Sequence, residues 1–431
     1  MKSFHQLAFE RVCLINLKRD HERLDDFYQR LPDDWPFEAP TRFEAIDGTN
    51  LVRPQWWQVG LGAWGCFQSH LRLIENALND KVESILVLED DAVCCDDFCG
   101  SLEPFAKNVP DDWEWIYLGG QHLHHHRAFP VKVCDHVYRP HYVHRAHAYA
   151  LRGRRAMEAI YTHLLERERW GEKHHLDHRL GELHAVYPGG IYVPGSWVIQ
   201  QAQSFSNIKM KHMPTTAFPG ASEMLNPKLD KRLVAVVGHD SAARNAVAGM
   251  LHHLGISMGD GRIGQRPWEC ETALAAPVLD QLCEQLFTAD WWIETSSSEH
   301  RINALRFWAA RRCRTSTVEA EMIGGTHPLF SILAAELSQA WVSPIIVRVE
   351  GLSEIKTDQS GGAALRRHTM AINGLQHFES TKFSKIIDLD FRTEQDTASR
   401  VAELIDQLGI KVNAQQQQAS IRLLEEYLRA Y

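Results

Sequence analysis

Three consecutive acids, Glu89, Asp90 and Asp91, follow the short, continuously apolar run Ser84 to Leu88. An apolar run of that length reads as a buried strand, so the acids fall at its carboxyl end. Closely spaced carboxylate oxygens suit a hard divalent cation such as magnesium or manganese, with phosphate oxygens and water completing its shell. A cation held in this way neutralises the charge that develops on a departing diphosphate. Taken alone, the triplet also suits a turn or a helix cap.

A second group of candidates sits where the first strand, Arg11 to Leu17 (RVCLINL), opens into a helix with Asp20 as its N-cap and Arg23, Leu24, Phe27 and Tyr28 on succeeding turns. Asn16, Arg19 and Arg23 are placed there to hold a nucleotide or its phosphates, or else to be solvated on a surface turn. Ser69 and His70 belong to a helix on which Phe67, Leu71, Ile74 and Leu78 recur at helical spacing. They serve either a ligand or the packing of that helix, and Cys66 reads as a small buried residue. The 24 histidines cluster around His122 to His126, His141 to His147 and His174 to His184. No cysteine or HExxH partner completes a metal pattern, so a His-rich polar face or loop is the preferred reading.

The elements that must carry these residues alternate. Strands are expected at Trp113 to Leu118 and Ile191 to Val193 and a helix across Arg154 to Leu165, which together predict an α/β sheet. From Phe205 to Lys231 the chain turns polar, with Pro214, Pro219, Gly220 and Pro227, and a domain boundary is expected near Leu229. The second half restarts with a strand at Leu233 to Val237, a loop, and a helix from about Asn245 to Leu254 ended by Gly255. Later strands are expected at Pro344 to Val349 and Lys385 to Leu389, then helices at Thr397 to Leu408 and Ser420 to Leu428, with Gln415 to Gln418 as a solvated junction. A length of 431 residues suits two such domains.

A net charge of -9 argues against wholesale nucleic-acid binding. The opening residues lack a secretory apolar core, and no run approaches the ~18 apolar residues of a membrane span. A cytoplasmic protein is expected, with its nine cysteines, an odd and scattered set, as reduced thiols.

Four segments in order then carry a resemblance: Ile15-Asn16-Leu17 with Arg19 and Arg23, Glu44-Ala45-Ile46-Asp47-Gly48, Gly65-Cys66-Phe67-Gln68-Ser69-His70, and Ile85 to Ala92 (ILVLEDDA). Trp115 to Gly119, His147 to Leu151 with Ala156, Leu176-Asp177-His178, Pro194, Gln200 and Ser204 to Ile208 continue it. In order and spacing they resemble glycosyltransferase family 25, the lipopolysaccharide and collagen galactosyltransferase group. Lys18, His21 and Ala63-Trp64 depart from the common pattern.

The resemblance implies a GT-A fold, a Rossmann-like sheet with the donor at its strand carboxyl ends, over residues 1–213, followed by a linker at 214–230. The implied reaction is metal-dependent transfer of a hexose, galactose by analogy, from a UDP-sugar donor to a hydroxyl of a saccharide or glycolipid acceptor, with inversion. Lipopolysaccharide biosynthesis is the implied setting, and peripheral membrane association is compatible with a glycolipid acceptor. By the same resemblance Glu89 and Asp91 hold Mn2+ or Mg2+ with His212 completing the shell, and Asn16, Leu17, Arg19, Arg23, Asp47, Ser69, His70 and Asp90 hold the donor. Asp177 becomes the general base, its alternative being an N-cap; the alternative for His212 is a polar linker residue.

Residues 231–431 resemble a P-loop sulfotransferase domain in degenerate form. Val234 to Gly259 is similar to the strand-loop-helix opening of carbohydrate sulfotransferases, and Gly324 to Pro328 stands where those enzymes have a K-D-P-R-like segment. Asp240, Ser241, Ala242, Ala243 and Arg244 replace the cofactor loop of R-S-G-T-[ST] type, and Val349 to Ile355 lacks the downstream phosphate contact although Arg348 remains. An aspartate there repels anionic phosphates. The domain is expected to fold without transferring sulfate, and to position the acceptor, dock a partner or mediate oligomerisation. Two rivals stay open: a bifunctional glycosyltransferase and sulfotransferase, and a non-catalytic carbohydrate-binding scaffold.

Overall fold

A computed structural model describes the chain except residues 1–3, 5–6, 125–126, 168–169, 171–174, 203, 207–210, 214–217, 259–296, 317–319, 352–361 and 431. The chain divides into two compact units, Met1–Leu225 and Asn226–Tyr431.

The first unit runs β1 (Arg11–Leu17), α1 (His21–Arg30), β2 (Thr41–Ala45), α2 (Leu61–Asn79), β3 (Ser84–Glu89), β4 (Ala92–Cys94), α3 (Phe98–Asn108), β5 (Trp113–His122), β6 (Val131–Cys134), β7 (Val137–Arg139) and β8 (Val143–Arg152). It continues through α4 (Arg154–Leu165), α5 (Leu176–Leu183), β9 (Gly190–Pro194), β10 (Ile199–Gln201), β11 (Ser204–Ser206), β12 (Lys211–Met213) and α6 (Ala221–Leu225). Eight strands form a mixed sheet in the order β2-β1-β3-β8-β5-β9-β7-β6. β1 lies parallel to both β2 and β3, whereas β8 runs antiparallel to β3 and β5.

The strands read as continuous apolar runs because both faces of the sheet are covered. Ile85 and Val87 of β3 join the core formed with α2, α4 and α5, while Leu86 and Leu88 join the core formed with α1 and α3. α3, with Phe98, Leu102 and Phe105 buried and Pro104 inside it, was not anticipated from sequence.

Three local expectations need correction. Asp20 does precede α1, but its side chain makes no capping hydrogen bond. The expected linker at 214–230 is not wholly a linker, because Ala221 packs into the first core and the Ser222 amide donates to the Gly195 carbonyl at 2.9 Å. Part of the described histidine clusters is not a polar face: His122, His144, His147 and His184 are buried. Aromatic neighbours accommodate them, as where His184 Nε2 meets the Tyr117 hydroxyl at 3.1 Å and its Nδ1 accepts from the Val143 amide at 3.3 Å.

The second unit contains β13 (Arg232–Val237), α7 (Ser241–His253), α8 (Ser298–Thr315), β14 (Met322–Thr326), α9 (Ala334–Ala340), β15 (Ile345–Glu350), α10 (Gly362–Gln376), β16 (Lys385–Asp390), α11 (Thr397–Leu408) and α12 (Ala414–Ala430). Its sheet is parallel throughout, in the order β14-β13-β15-β16. α7 begins at Ser241, four residues before the expected start, because Asp240 accepts from the Ala242 and Ala243 amides at 2.9 and 3.1 Å. Those amides are the donors that a phosphate-binding loop would present, and here the chain's own carboxylate takes them. Arg244 is likewise turned inward, donating to the Gly238 carbonyl at 2.6 Å, and Arg348 pairs with Asp388. The ends of the stretches Val234 to Gly259 and Val349 to Ile355 lie outside the described residues.

Gln415 to Gln418 is helical rather than a solvated junction. Asn413 and Gln416 cap α12 reciprocally, the Gln416 amide donating to Asn413 Oδ1 at 2.8 Å and the Asn413 amide to Gln416 Oε1 at 2.9 Å. Among the described residues no helix is long and apolar enough to cross a membrane, and the described cysteines are free thiols.

Candidate functional site

Because β1, β2 and β3 run parallel, their carboxyl ends open on one side, with Ile15 opposite Glu89 and Leu17 opposite Ala45. A cleft of about 420 Å³ lies over these ends. Its wall contains Asn16, Leu17, Arg19, Arg23, Asp47, Ser69, His70, Glu89, Asp90 and Asp91, so residues separated by up to 75 positions in sequence meet there. Parallel strands must be joined by crossovers, and this brings together loops that are distant along the chain.

Several wall residues are held by the protein itself. Asn16, almost fully buried, donates to Asp90 Oδ2 at 2.8 Å and to the Asp20 carbonyl at 3.0 Å, and its Oδ1 accepts from Arg42 Nε at 3.1 Å. Asp47 pairs with Arg19 and caps the turn Gly48–Asn50 by accepting from the Thr49 amide at 3.0 Å. The Ser69 hydroxyl donates to the Gly65 carbonyl at 2.7 Å and accepts from the Ile46 amide at 2.8 Å. That tie works because Gly48 and Gly65 pack backbone to backbone: a Cβ on Gly65 would lie 2.6 Å from the Gly48 nitrogen, and one on Gly48 would meet the Leu61 carbonyl oxygen. The A-I-D-G and G-C-F-Q-S-H segments are thus two sides of one contact.

The acids differ in their surroundings. Glu89 Oε1 is 3.1 Å from His70 Nε2, and His70 Nδ1 is 3.0 Å from the Tyr149 hydroxyl. Burial alone would raise the Glu89 carboxyl, but the hydrogen bond and charge of His70, with His147 and Arg23, bring it below the ordinary value. Burial raises Asp90, against the opposing charge and hydrogen bond of Arg23 and the hydrogen bond of Asn16. Asp91 is pushed up to about 7, first by burial and then by the charges of Glu89 and Asp90, with Arg23 and Arg145 opposing. Its Oδ1 is sealed from solvent and has no hydrogen-bond partner among the described residues. A buried, unpartnered carboxylate oxygen beside two further carboxylates is the arrangement that a divalent cation relieves, so the donor set fits magnesium or manganese.

Asp177 alone of the expected residues with described side chains lies elsewhere. Asp177 is outside the cleft wall, in the first turn of α5; the N-cap is His175, so the capping alternative does not hold. Instead Asp177 Oδ2 accepts from the Arg145 amide at 3.1 Å and Oδ1 from the His178 amide at 3.1 Å. Burial alone would raise its carboxyl, but His144, His178, the Arg145 amide and His175 bring it below the ordinary range. His212 stands in β12 opposite Phe205, and its side chain lies outside the described residues.

Cys66, expected as a small buried residue, is half-buried, and Arg145 was not singled out from sequence. Cys66 lines the cleft, with its sulfur and ligand atoms of His70 and Glu89 all within 4.8 Å of one another. Burial, then Glu89, Asp177 and Asp91, push its thiol well above the ordinary value, which removes it as a nucleophile. Arg145 has a φ of 76°, in a stretch of β8 whose pairing with β5 is irregular. It faces both Asp91, whose carboxyl its charge lowers, and Asp177, which its amide holds. Nothing in the sequence around Arg145 marks a left-handed residue inside a strand.

Residues 9–156 match the profile of glycosyltransferase family 25, described as an LPS biosynthesis protein. The matched stretch lies within the first unit and contains every residue of the cleft wall. Two curated relatives are similar over this part. The Bos taurus protein named "Probable inactive glycosyltransferase 25 family member 3" is 25% identical over 167 residues, covering 34% of this chain and 28% of its own. The Homo sapiens protein named "Inactive glycosyltransferase 25 family member 3" is 26% identical over 168 residues, with the same coverage. The chain thus spans little more than a quarter of the length of these relatives. A solved structure described as "Crystal Structure of A197 from STIV" aligns with 49% of this chain and 96% of its own at 10% identity and a TM-score of 0.23, too low to carry an argument. The sulfotransferase-like reading of the second unit draws no support from these matches.

Proposed function

We propose that the first unit is a GT-A type, metal-dependent glycosyltransferase that moves a hexose, galactose by family analogy, from a UDP-sugar to a hydroxyl of a saccharide or glycolipid acceptor with inversion. The observation that carries this reading is Asp91, whose Oδ1 is sealed from solvent and, among the described residues, unpartnered, in a cleft at the carboxyl ends of parallel strands. Manganese or magnesium, held by Glu89 and Asp91, would supply the positive charge that stabilises the departing diphosphate. Asp90, fixed by Asn16 and Arg23, presents a rigid edge to the nucleotide. His70, itself braced by Tyr149, orients Glu89. Asp177, kept ionised at neutral pH, takes the proton from the acceptor hydroxyl.

The names of the two relatives favour a second reading, a cleft that binds a donor without turning it over. Release of nucleoside diphosphate across a panel of sugar nucleotides with manganese separates the two. A donor-specific release signal supports transfer, whereas saturable donor binding with no release supports the inactive reading.

A further inference from the structure

We propose that His144, Asp177 and His178 form a second metal site, selective for a borderline transition cation such as zinc, and that filling it withdraws Asp177 from acceptor deprotonation. The withdrawal rests on the transfer reading above; the metal site itself does not.

Ligand atoms of the three side chains lie within 4.8 Å of one another, and His144 Nδ1 is 3.9 Å from Asp177 Oδ2. Zinc bonds of ~2.0–2.1 Å in a tetrahedral shell place ligand atoms about 3.4 Å apart. A small contraction closes the set, and Asp177 and His178, both only half-buried, can supply it. His144 is the fixed member. It is buried, with its ring centroid 4.1 Å from that of His178 and 5.1 Å from that of Tyr142.

Tyr142 holds the other side of the cluster. Its hydroxyl donates to the His178 carbonyl at 2.8 Å, and Gly181 allows the ring to sit against α5, since a Cβ there would lie 2.7 Å from Tyr142 Cδ1. The irregular pairing of β8 with β5 places His144 beside Arg145, whose left-handed backbone turns its amide to Asp177. His144 faces Asp177 through Nδ1, and among the described residues its Nε2 is sealed from solvent without a hydrogen-bond partner. A buried polar nitrogen without a partner calls for a cause.

Two imidazoles and one carboxylate suit zinc, cobalt or nickel and leave a coordination position open. The cleft acids, all oxygen, suit a hard cation instead. The two sites therefore sort metals by ligand chemistry, although Arg145 faces an acid of each.

The test uses the full chain carrying Cys66→Ala and Asp91→Asn, so that neither the cleft acids nor the group of Cys66, His70 and Glu89 supplies a competing cobalt site. Cobalt is titrated and followed by its visible absorption, then displaced by zinc. The expected result is one saturable band that zinc abolishes. Loss of an outer partner of a metal ligand alone weakens binding ~10–100-fold, so His178→Gln and His144→Gln should each weaken it by at least ~100-fold. His178 is half-buried, so its variant remains informative if His144→Gln fails to fold. In the wild-type chain with excess manganese, zinc should slow turnover, and it should not slow the residual turnover of His178→Gln. No band, a band indifferent to both substitutions, or zinc-saturated protein with unchanged turnover would overturn the proposal. Because cobalt binding is read without turnover, a chain that transfers no sugar still decides the metal site.

Discussion

Asn16 Nδ2 donates to Asp90 Oδ2 at 2.8 Å, stitching the end of β1 to the acids that follow β3. The same side chain accepts from Arg42 Nε, so it links three strands of the parallel part of the sheet. Asn16→Ala leaves Asp90 and Arg42 each short of a partner in a partly buried place. Each such loss costs ~1–3 kcal/mol, so a total of about 2–6 kcal/mol is expected. An earlier urea transition, followed by tryptophan fluorescence, is the readout; an unchanged midpoint would contradict the linking role.

Asp91 makes stability depend on pH in the metal-free chain. Its folded carboxyl stands near 7 against an ordinary 3.8, so its contribution is intact below about pH 4 and is lost as pH rises through about 7. Thermal melts in chelator should therefore fall across that window, and manganese should restore the upper end. Asp91→Asn removes the charge at nearly constant shape. It should flatten the metal-free profile and abolish the manganese effect; a profile as steep as the wild type would exclude Asp91 as its source.

Gly65→Ala tests the contact between the second and third family segments. The added methyl meets the Ile46 carbonyl oxygen at 2.5 Å and the Gly48 nitrogen at 2.6 Å, both main-chain atoms that cannot rotate away. Overpacking of this kind costs ~1–3 kcal/mol or more. The melting temperature should drop and donor affinity with it, since α2 carries Ser69 and His70 into the cleft. Wild-type melting would show that the segments have room to part.

Asp177→Asn separates a chemical role from a structural one. Asparagine keeps one oxygen for the Arg145 amide but loses the second acceptor that serves the His178 amide, together with the basic carboxylate. Turnover should fall ~10²–10⁴-fold with donor KM nearly unchanged, while the lost hydrogen bond lowers stability by only ~1 kcal/mol. Normal turnover would remove Asp177 from the reaction.

Much of the architecture was legible in the sequence, because strand and helix periodicities are local. The strand Arg11 to Leu17, the helix Thr397 to Leu408 and the acidic triplet at the end of an apolar run could each be read from neighbours a few positions away. Ordered spacing also grouped the residues of the cleft wall before any coordinates placed them together. Other features depended on partners far along the chain. Asp177 is held by an amide 32 positions earlier, and Gly48 is required by a backbone 17 positions later. The left-handed φ of Arg145 and the buried, unpartnered nitrogen of His144 have no local signature, since an arginine or histidine in a strand is written the same whether it faces water or a sealed interior. Spacing carries short-range geometry; burial and hydrogen-bond satisfaction are properties of the whole packed unit, and only the tertiary structure decides them.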